Sequence, residues 1–136
     1  MPVELTDPGE PMLSSHQLAD GRFQVTRTLG VGGMATVYAV EDARLGVQRA
    51  LKVLNPALSE KPQVRSRFIA EARTMASLEH RNIVRVYDVD LDGEQPYIVM
   101  ELLDGGSLVD WVRDNGPMPP RLAVDVIIEI LNALKI

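Results

Sequence analysis

At 136 residues the chain has the length of one domain able to bury a core, and its 14 Lys and Arg against 19 Asp and Glu leave a net charge of −5. That acidity, with no basic run, argues against a nucleic-acid partner, and the absence of cysteine excludes a disulfide framework or a Cys-ligated metal site. His16 and His80 have no ligand-like spacing, no apolar run reaches the roughly 18 residues of a membrane span, and the first twenty residues carry no Lys or Arg for a signal peptide. A cytoplasmic location is the expectation that follows.

Residues 1–19 read as an acidic, Pro-containing, disordered leader. Pro2, Pro8 and Pro11 break regular structure, Glu4, Asp7 and Glu10 have no basic neighbours, and apolar periodicity is missing. Asp20-Gly21 is a turn signal. Strands are predicted from Phe23 up to Leu29 and over Val37-Tyr38-Ala39-Val40. Between them runs Leu29-Gly30-Val31-Gly32-Gly33-Met34-Ala35-Thr36-Val37, with three glycines in four positions. A glycine turn exposes backbone N–H groups to a phosphate, and glycine reaches φ > 0 without steric cost. Three readings compete. A dinucleotide fold would need a helix directly after the glycines, and a strand follows instead. An ordinary glycine hairpin and a phosphate-covering loop both remain at this point.

Glu41 to Gln48 is a polar hairpin connection containing Gly46, and Arg49-Ala50-Leu51-Lys52-Val53-Leu54 is a third strand. Its alternation puts Ala50 and Lys52 on one face and Leu51 and Val53 on the other. Lys52 is either an edge lysine that discourages aggregation or a cation reaching a phosphate. Asn55-Pro56 ends the strand, and a helix is predicted from Val64 to about Leu78. Stepping 100° per residue from Val64, Phe68 falls at about 40°, Met75 at about 20°, Leu78 at about −40° and Glu71 at about −20°. Glu71 therefore sits inside an apolar stripe, where a carboxylate needs a partner. A pair with Arg67 would be worth only ~0.3–0.5 kcal/mol and would not explain that position; Lys52 would.

Ile83 to Val89 is a fourth strand, Asp92-Gly93 a hairpin turn and Pro96 to Leu103 a fifth strand. Ser107 is a helix N-cap with Asp110 in a capping-box position, and Asn115-Gly116 closes a short helix over Leu108–Asp114. Pro117, Pro119 and Pro120 introduce a last helix. Its Leu122, Val126, Ile127, Ile130, Leu131 and Leu134 recur at helical spacing, widened by Val124, Ile128 and Ile136, so a core position is expected.

This order of parts resembles the bacterial serine/threonine protein kinases. The residues that carry the resemblance are L-G-V-G-G-M-A-T-V-Y at 29–38, A-L-K at 50–52, F-I-A-E-A at 68–72, H-R-N-I-V at 80–84 and Y-I-V-M-E-L at 97–102. It implies an α+β fold: a kinase N-lobe over 20–103, a five-stranded antiparallel sheet with helix C. The hinge exit and two helices of an incomplete C-lobe would follow over 104–136. It implies ATP as ligand, with Lys52 on the α- and β-phosphates and Glu71 as its helix-C partner, the two catalytic candidates. Gly30, Val31, Gly32, Gly33, Met34, Ala35 and Thr36 would form the loop over the phosphates. Leu29, Val37, Ala50 and Met100 would line the adenine slot, Met100 as gatekeeper. The Glu101 carbonyl and Leu103 N–H would meet the adenine edge, and Ser107 would lie near the ribose. His80 and Asn82 would be structural.

Two departures bear on function. Ala35 stands where a third loop glycine is common; forcing alanine to φ > 0 would cost ~1–2 kcal/mol. The catalytic loop H-R-D-x-x-x-x-N and the metal-binding D-F-G are absent from these 136 residues. Phosphoryl transfer needs that Asp and the Mg²⁺ ligands as well as the Lys–Glu pair. The expectation is the ATP-binding part of a Ser/Thr kinase, inactive by itself, with no metal ligands of its own and Mg²⁺ used only in a longer chain. Its partners would be ATP and, at full length, a protein substrate. The alternative is a non-catalytic, pseudokinase-like module that binds nucleotide or a partner kinase, or self-associates, through the apolar 122–136 helix.

Overall fold

The computed structural model of the chain describes residues 21–136. The leader expected over 1–19, with His16, lies outside the described residues. Five strands and four helices follow: β1 (Phe23–Val31), β2 (Ala35–Asp42), β3 (Val47–Leu54), α1 (Pro56–Ser59), α2 (Pro62–Ser77), β4 (Val86–Asp90), β5 (Tyr97–Met100), α3 (Leu108–Asn115) and α4 (Pro120–Ala133). The strands form one antiparallel sheet in the order β1-β2-β3-β5-β4, the α+β architecture that the sequence predicts.

The pleat sorts the strands' side chains onto two faces. On one, Phe23, Tyr38, Val40, Leu51, Val53, Tyr97 and Val99 make a buried cluster, with Phe23 and Tyr97 meeting edge to face at 5.7 Å between centroids. On the other, Ala35, Leu54 and Ile98 pack against Phe68 and Ala72 of α2, with Val64 and Met75 half-buried around them. The helix stripe read from the sequence is thus the face that meets the sheet. Phe68 is fully buried, a side chain whose burial is worth about 1.5–3 kcal/mol.

Several boundaries differ from expectation. The β2–β3 connection is shorter than Glu41–Gln48, because pairing runs on to Asp42 opposite Val47. The turn closes with the Gly46 N–H on the Asp42 carbonyl at 2.7 Å and Gly46 at φ 65°, where glycine is needed. α1 was not expected; Pro56 at its first position has the φ that a helix start needs. β5 ends at Met100 rather than Leu103, and β4 begins at Val86 rather than Ile83. A four-residue β5 has no backbone to offer Ile83 and Val84, so they join the connection.

Arg22 ties the sheet's ends together. Its guanidinium donates to the buried Asp42 carboxylate at 2.9 Å and to Asp88 at 3.3 Å, linking the β1–β2 end to β4. Burial pushes the Asp42 carboxyl up, but the bonds from Arg22 and from the Arg44 and Leu45 amides outweigh it and hold it below the usual range.

The capping box of α3 forms as the sequence predicts. The Asp110 N–H donates to Ser107 Oγ at 3.1 Å, and the Ser107 N–H donates to Asp110 Oδ2 at 2.9 Å. α4 corrects the sequence reading. Leu122, Val124, Ile127, Ile128, Ile130, Leu131, Leu134 and Ile136 are exposed, and no residue of the helix is buried. Apolarity called for a covering surface, and the described residues do not supply one. What fastens α4 is Glu129, which accepts from Arg81 at 2.9 Å and from the Asn82 side chain at 2.6 Å, with a further Asn82 bond to its carbonyl at 2.8 Å. Asn82 and His80, whose Nδ1 accepts from the Asn82 N–H at 3.0 Å, are structural in this sense.

Candidate functional site

The Gly-rich stretch is the crown of the β1–β2 hairpin. Gly30 pairs with Val37 and Val31 with Thr36, and the Gly32 N–H donates to the Ala35 carbonyl at 2.9 Å. Of the two purposes expected of its glycines, positive φ and an unobstructed backbone, only the second is met. Left-handed φ occurs at Gly21, Gly46, Gly106 and Gly116, not at Gly30, Gly32 or Gly33. What the loop uses is the missing Cβ. At Gly32 a methyl would sit 3.2 Å from the Ala35 carbonyl oxygen, while at Gly30 and Gly33 it would project into open space. Open space over a backbone is what a polyphosphate needs to reach amide N–H groups. The strain considered for Ala35 does not arise, since Ala35 opens β2 with its methyl buried. Met34 is not a free loop side chain either; it packs on the cluster under the sheet.

Below the crown, strand register places the remaining candidates on one face. Val37, Lys52 and Ile98 are directly opposed across β2, β3 and β5, and Ala39, Ala50 and Met100 form the adjacent row. Ala50 and Met100 are buried, Val37 and Leu29 half-buried. Val37, Ala50 and Met100 make an apolar floor ending at one cation. Lys52 Nζ donates to Glu71 Oε1 of α2, so the structure brings together the two residues that the helix stripe and strand alternation singled out. Their side chains are 22% and 38% exposed, and a pair so open to solvent contributes about 0–1 kcal/mol. Its consequence is orientation: the ammonium is held in front of α2, beside the crown.

The hinge candidates are placed less tightly. The Glu101 N–H donates to the Arg85 carbonyl at 2.9 Å, and Leu103 is exposed. Val31 is also exposed. Ser107 is already engaged, since its hydroxyl donates to Asp110 Oδ2 at 2.7 Å as well as capping α3.

A family model described as the protein kinase domain matches residues 23–136. The chain belongs to the protein kinase family. Among its bacterial kinase relatives, serine/threonine-protein kinase PknL of Mycobacterium tuberculosis is 41% identical over 117 residues, covering 86% of this chain and 29% of PknL. PksC of Streptomyces coelicolor is 42% identical over 138 residues, 96% of this chain and 25% of PksC, and PrkC of Bacillus subtilis is 38% identical over 114 residues, 84% and 18%. The crystal structure of the M. tuberculosis PknI kinase domain superposes with a TM-score of 0.66 at 30% identity, covering 83% of this chain and 46% of that one. The kinase chain described here therefore spans less than a third of the curated relatives named and under half of the solved domain.

Two features of the structure were not read from the sequence. One is the Arg81–Asn82–Glu129 junction, whose members are 47 and 48 residues apart and carry no local pattern. The other is Asn55, read as a strand terminator, whose side chain reaches the crown. Among the described residues no three His, Asp or Glu side chains converge as a metal site requires, and no helix is long and apolar enough to cross a membrane.

Proposed function

We propose that this chain is the ATP-binding portion of a serine/threonine protein kinase. The observation that carries the reading is the Lys52–Glu71 pair, set beside the glycine crown at the end of an apolar floor. In this reading the adenine ring lies against Leu29, Val37, Ala50 and Met100, its edge toward the Glu101 carbonyl and Leu103 N–H, with the ribose near Ser107. The α- and β-phosphates meet Lys52 and the crown over Gly30 to Thr36, where the Gly33 and Met34 amides donate to no other described residue. Glu71 orients the ammonium so that its charge is aimed before the nucleotide arrives.

In the transfer itself, a Ser or Thr oxygen of a protein would form a bond to the γ-phosphorus. The bond from that phosphorus to the β–γ bridging oxygen would break, and the hydroxyl proton would pass to a base. Among the described residues neither that base nor a metal-binding cluster is found, so this reading assigns transfer to a longer protein that contains this chain. Extending it by its natural downstream sequence should yield autophosphorylation that Lys52→Ala abolishes; activity retained in that variant would overturn the reading. For the chain as it stands, calorimetric titration with ATP should show binding that Lys52→Ala weakens about tenfold, the scale of one charge-assisted contact.

A second reading, a non-catalytic module that binds nucleotide or a partner kinase, draws on the exposed apolar residues of α4. Intact mass in the native cell separates them. A mass far above 15.0 kDa favours the enzyme, and one near it favours the module.

A further inference from the structure

Asn55 touches the glycine crown at three points. Its N–H donates to the Met34 carbonyl at 2.9 Å, its side-chain Nδ2 donates to the Gly32 carbonyl at 3.3 Å, and its Oδ1 accepts from the Thr36 hydroxyl at 2.8 Å. The crown's own closing bond is the single Gly32–Ala35 contact, and its glycines have no side chains with which to hold themselves. The tether is itself held rigid. Pro56 confines the residue before it to extended backbone, and Asn55 sits there at φ −59° and ψ 129°. The buried Thr36 hydroxyl, donating to Oδ1, leaves the amide's NH₂ for Gly32. Only a side chain that donates and accepts at once can bridge these two groups, which asparagine does and aspartate or leucine does not.

We propose that Asn55 is a positioning residue for the polyphosphate site, holding the crown at a set height beside Lys52 through Gly32, Met34 and Thr36. The Gly33 and Met34 amides donate to no partner among the described residues and are left for the ligand. A crown free to rise and fall would have to be ordered by each incoming nucleotide; a tethered one is ordered beforehand. The role rests on the nucleotide reading above, whereas the tether does not.

The experiment uses the whole chain, with Asn55→Ala, Thr36→Val and the double variant. Amide hydrogen exchange is followed without nucleotide, and ATP affinity by calorimetry. Asn55→Ala should speed exchange at Gly32 and Asn55 about tenfold and weaken ATP about three- to tenfold, with a lowered melting temperature because the buried Thr36 hydroxyl loses its acceptor. Thr36→Val should move both in the same direction by less, and the double variant should match Asn55→Ala, because Thr36 acts through Asn55. Unchanged crown exchange, additive losses, or faster exchange with unaltered ATP affinity would each overturn the proposal. If Asn55→Ala does not fold, Thr36→Val, which keeps a β-branched side chain in β2, carries the same two readouts. Failure of the unaltered chain to bind ATP would sink the nucleotide reading, and with it the positioning role, while the exchange data would still decide whether the tether exists.

Discussion

The sheet with α2 and the pair α3–α4 solve the same problem with different success. In the sheet, both faces find partners within the chain: α2 covers one, and the aromatic cluster of Phe23, Tyr38 and Tyr97 closes the other. α4 carries as strong an apolar stripe and buries none of its residues. Its attachment is polar, through Glu129, and solvent reaches those groups. Apolar pattern therefore says that a surface wants covering, and only an opposing surface of matching shape covers it.

The largest test of this contrast is Phe68→Ala. It should cost about 3–5 kcal/mol in denaturant melts, as for other large-to-small changes in a packed core. A loss below about 1 kcal/mol would mean that the α2–sheet contact is not the chain's main core.

Next comes Asp42→Asn, expected to cost about 1–3 kcal/mol by breaking the bridge from Arg22. Because the folded carboxyl is held below its unfolded value, its stabilisation is complete above about pH 4 and is lost as pH falls through the lowered folded value. The variant's acid limb should be flatter than that of the parent; identical limbs would show that the bridge contributes nothing there.

Ser107→Ala should cost about 1 kcal/mol, confined to α3, since it removes a capping-box oxygen. Backbone chemical shifts should change over Leu108–Asn115 and leave the sheet alone.

Smallest in stability is Leu131→Ser on the exposed α4 face, within about 0.5 kcal/mol. Its readout is association. The parent chain should self-associate in sedimentation velocity through α4, and this variant less so; a monomeric parent would show that the exposed stripe drives no contact.

What could be read beforehand was local. Strand alternation put Lys52 opposite the face of Leu51 and Val53, the helical stripe put Glu71 among Phe68 and Met75, and Ser107 with Asp110 announced a cap. Each signal lies within a turn or two of its effect. Less legible was why the crown needs glycine. The sequence suggested both left-handed backbone and exposed amides; the structure has open space at Gly30 and Gly33 and close approach at Gly32, without the left-handed φ. Strand ends were also displaced, because the end of β4 depends on how much of β5 lies beside it.

By itself, then, the sequence determined the order of the five strands and of the three longer helices, the buried face of α2 and the family, since periodicity, turn chemistry and motif spacing are short-range properties. Only the tertiary structure decided that Lys52 meets Glu71, that Arg22 bridges Asp42 and Asp88, that Asn55 holds Gly32 and Thr36, and that α4 hangs on Glu129. Those partners lie 19 to 66 residues apart, and what brings them together is the pairing of strands and the seating of α2, which no local pattern encodes.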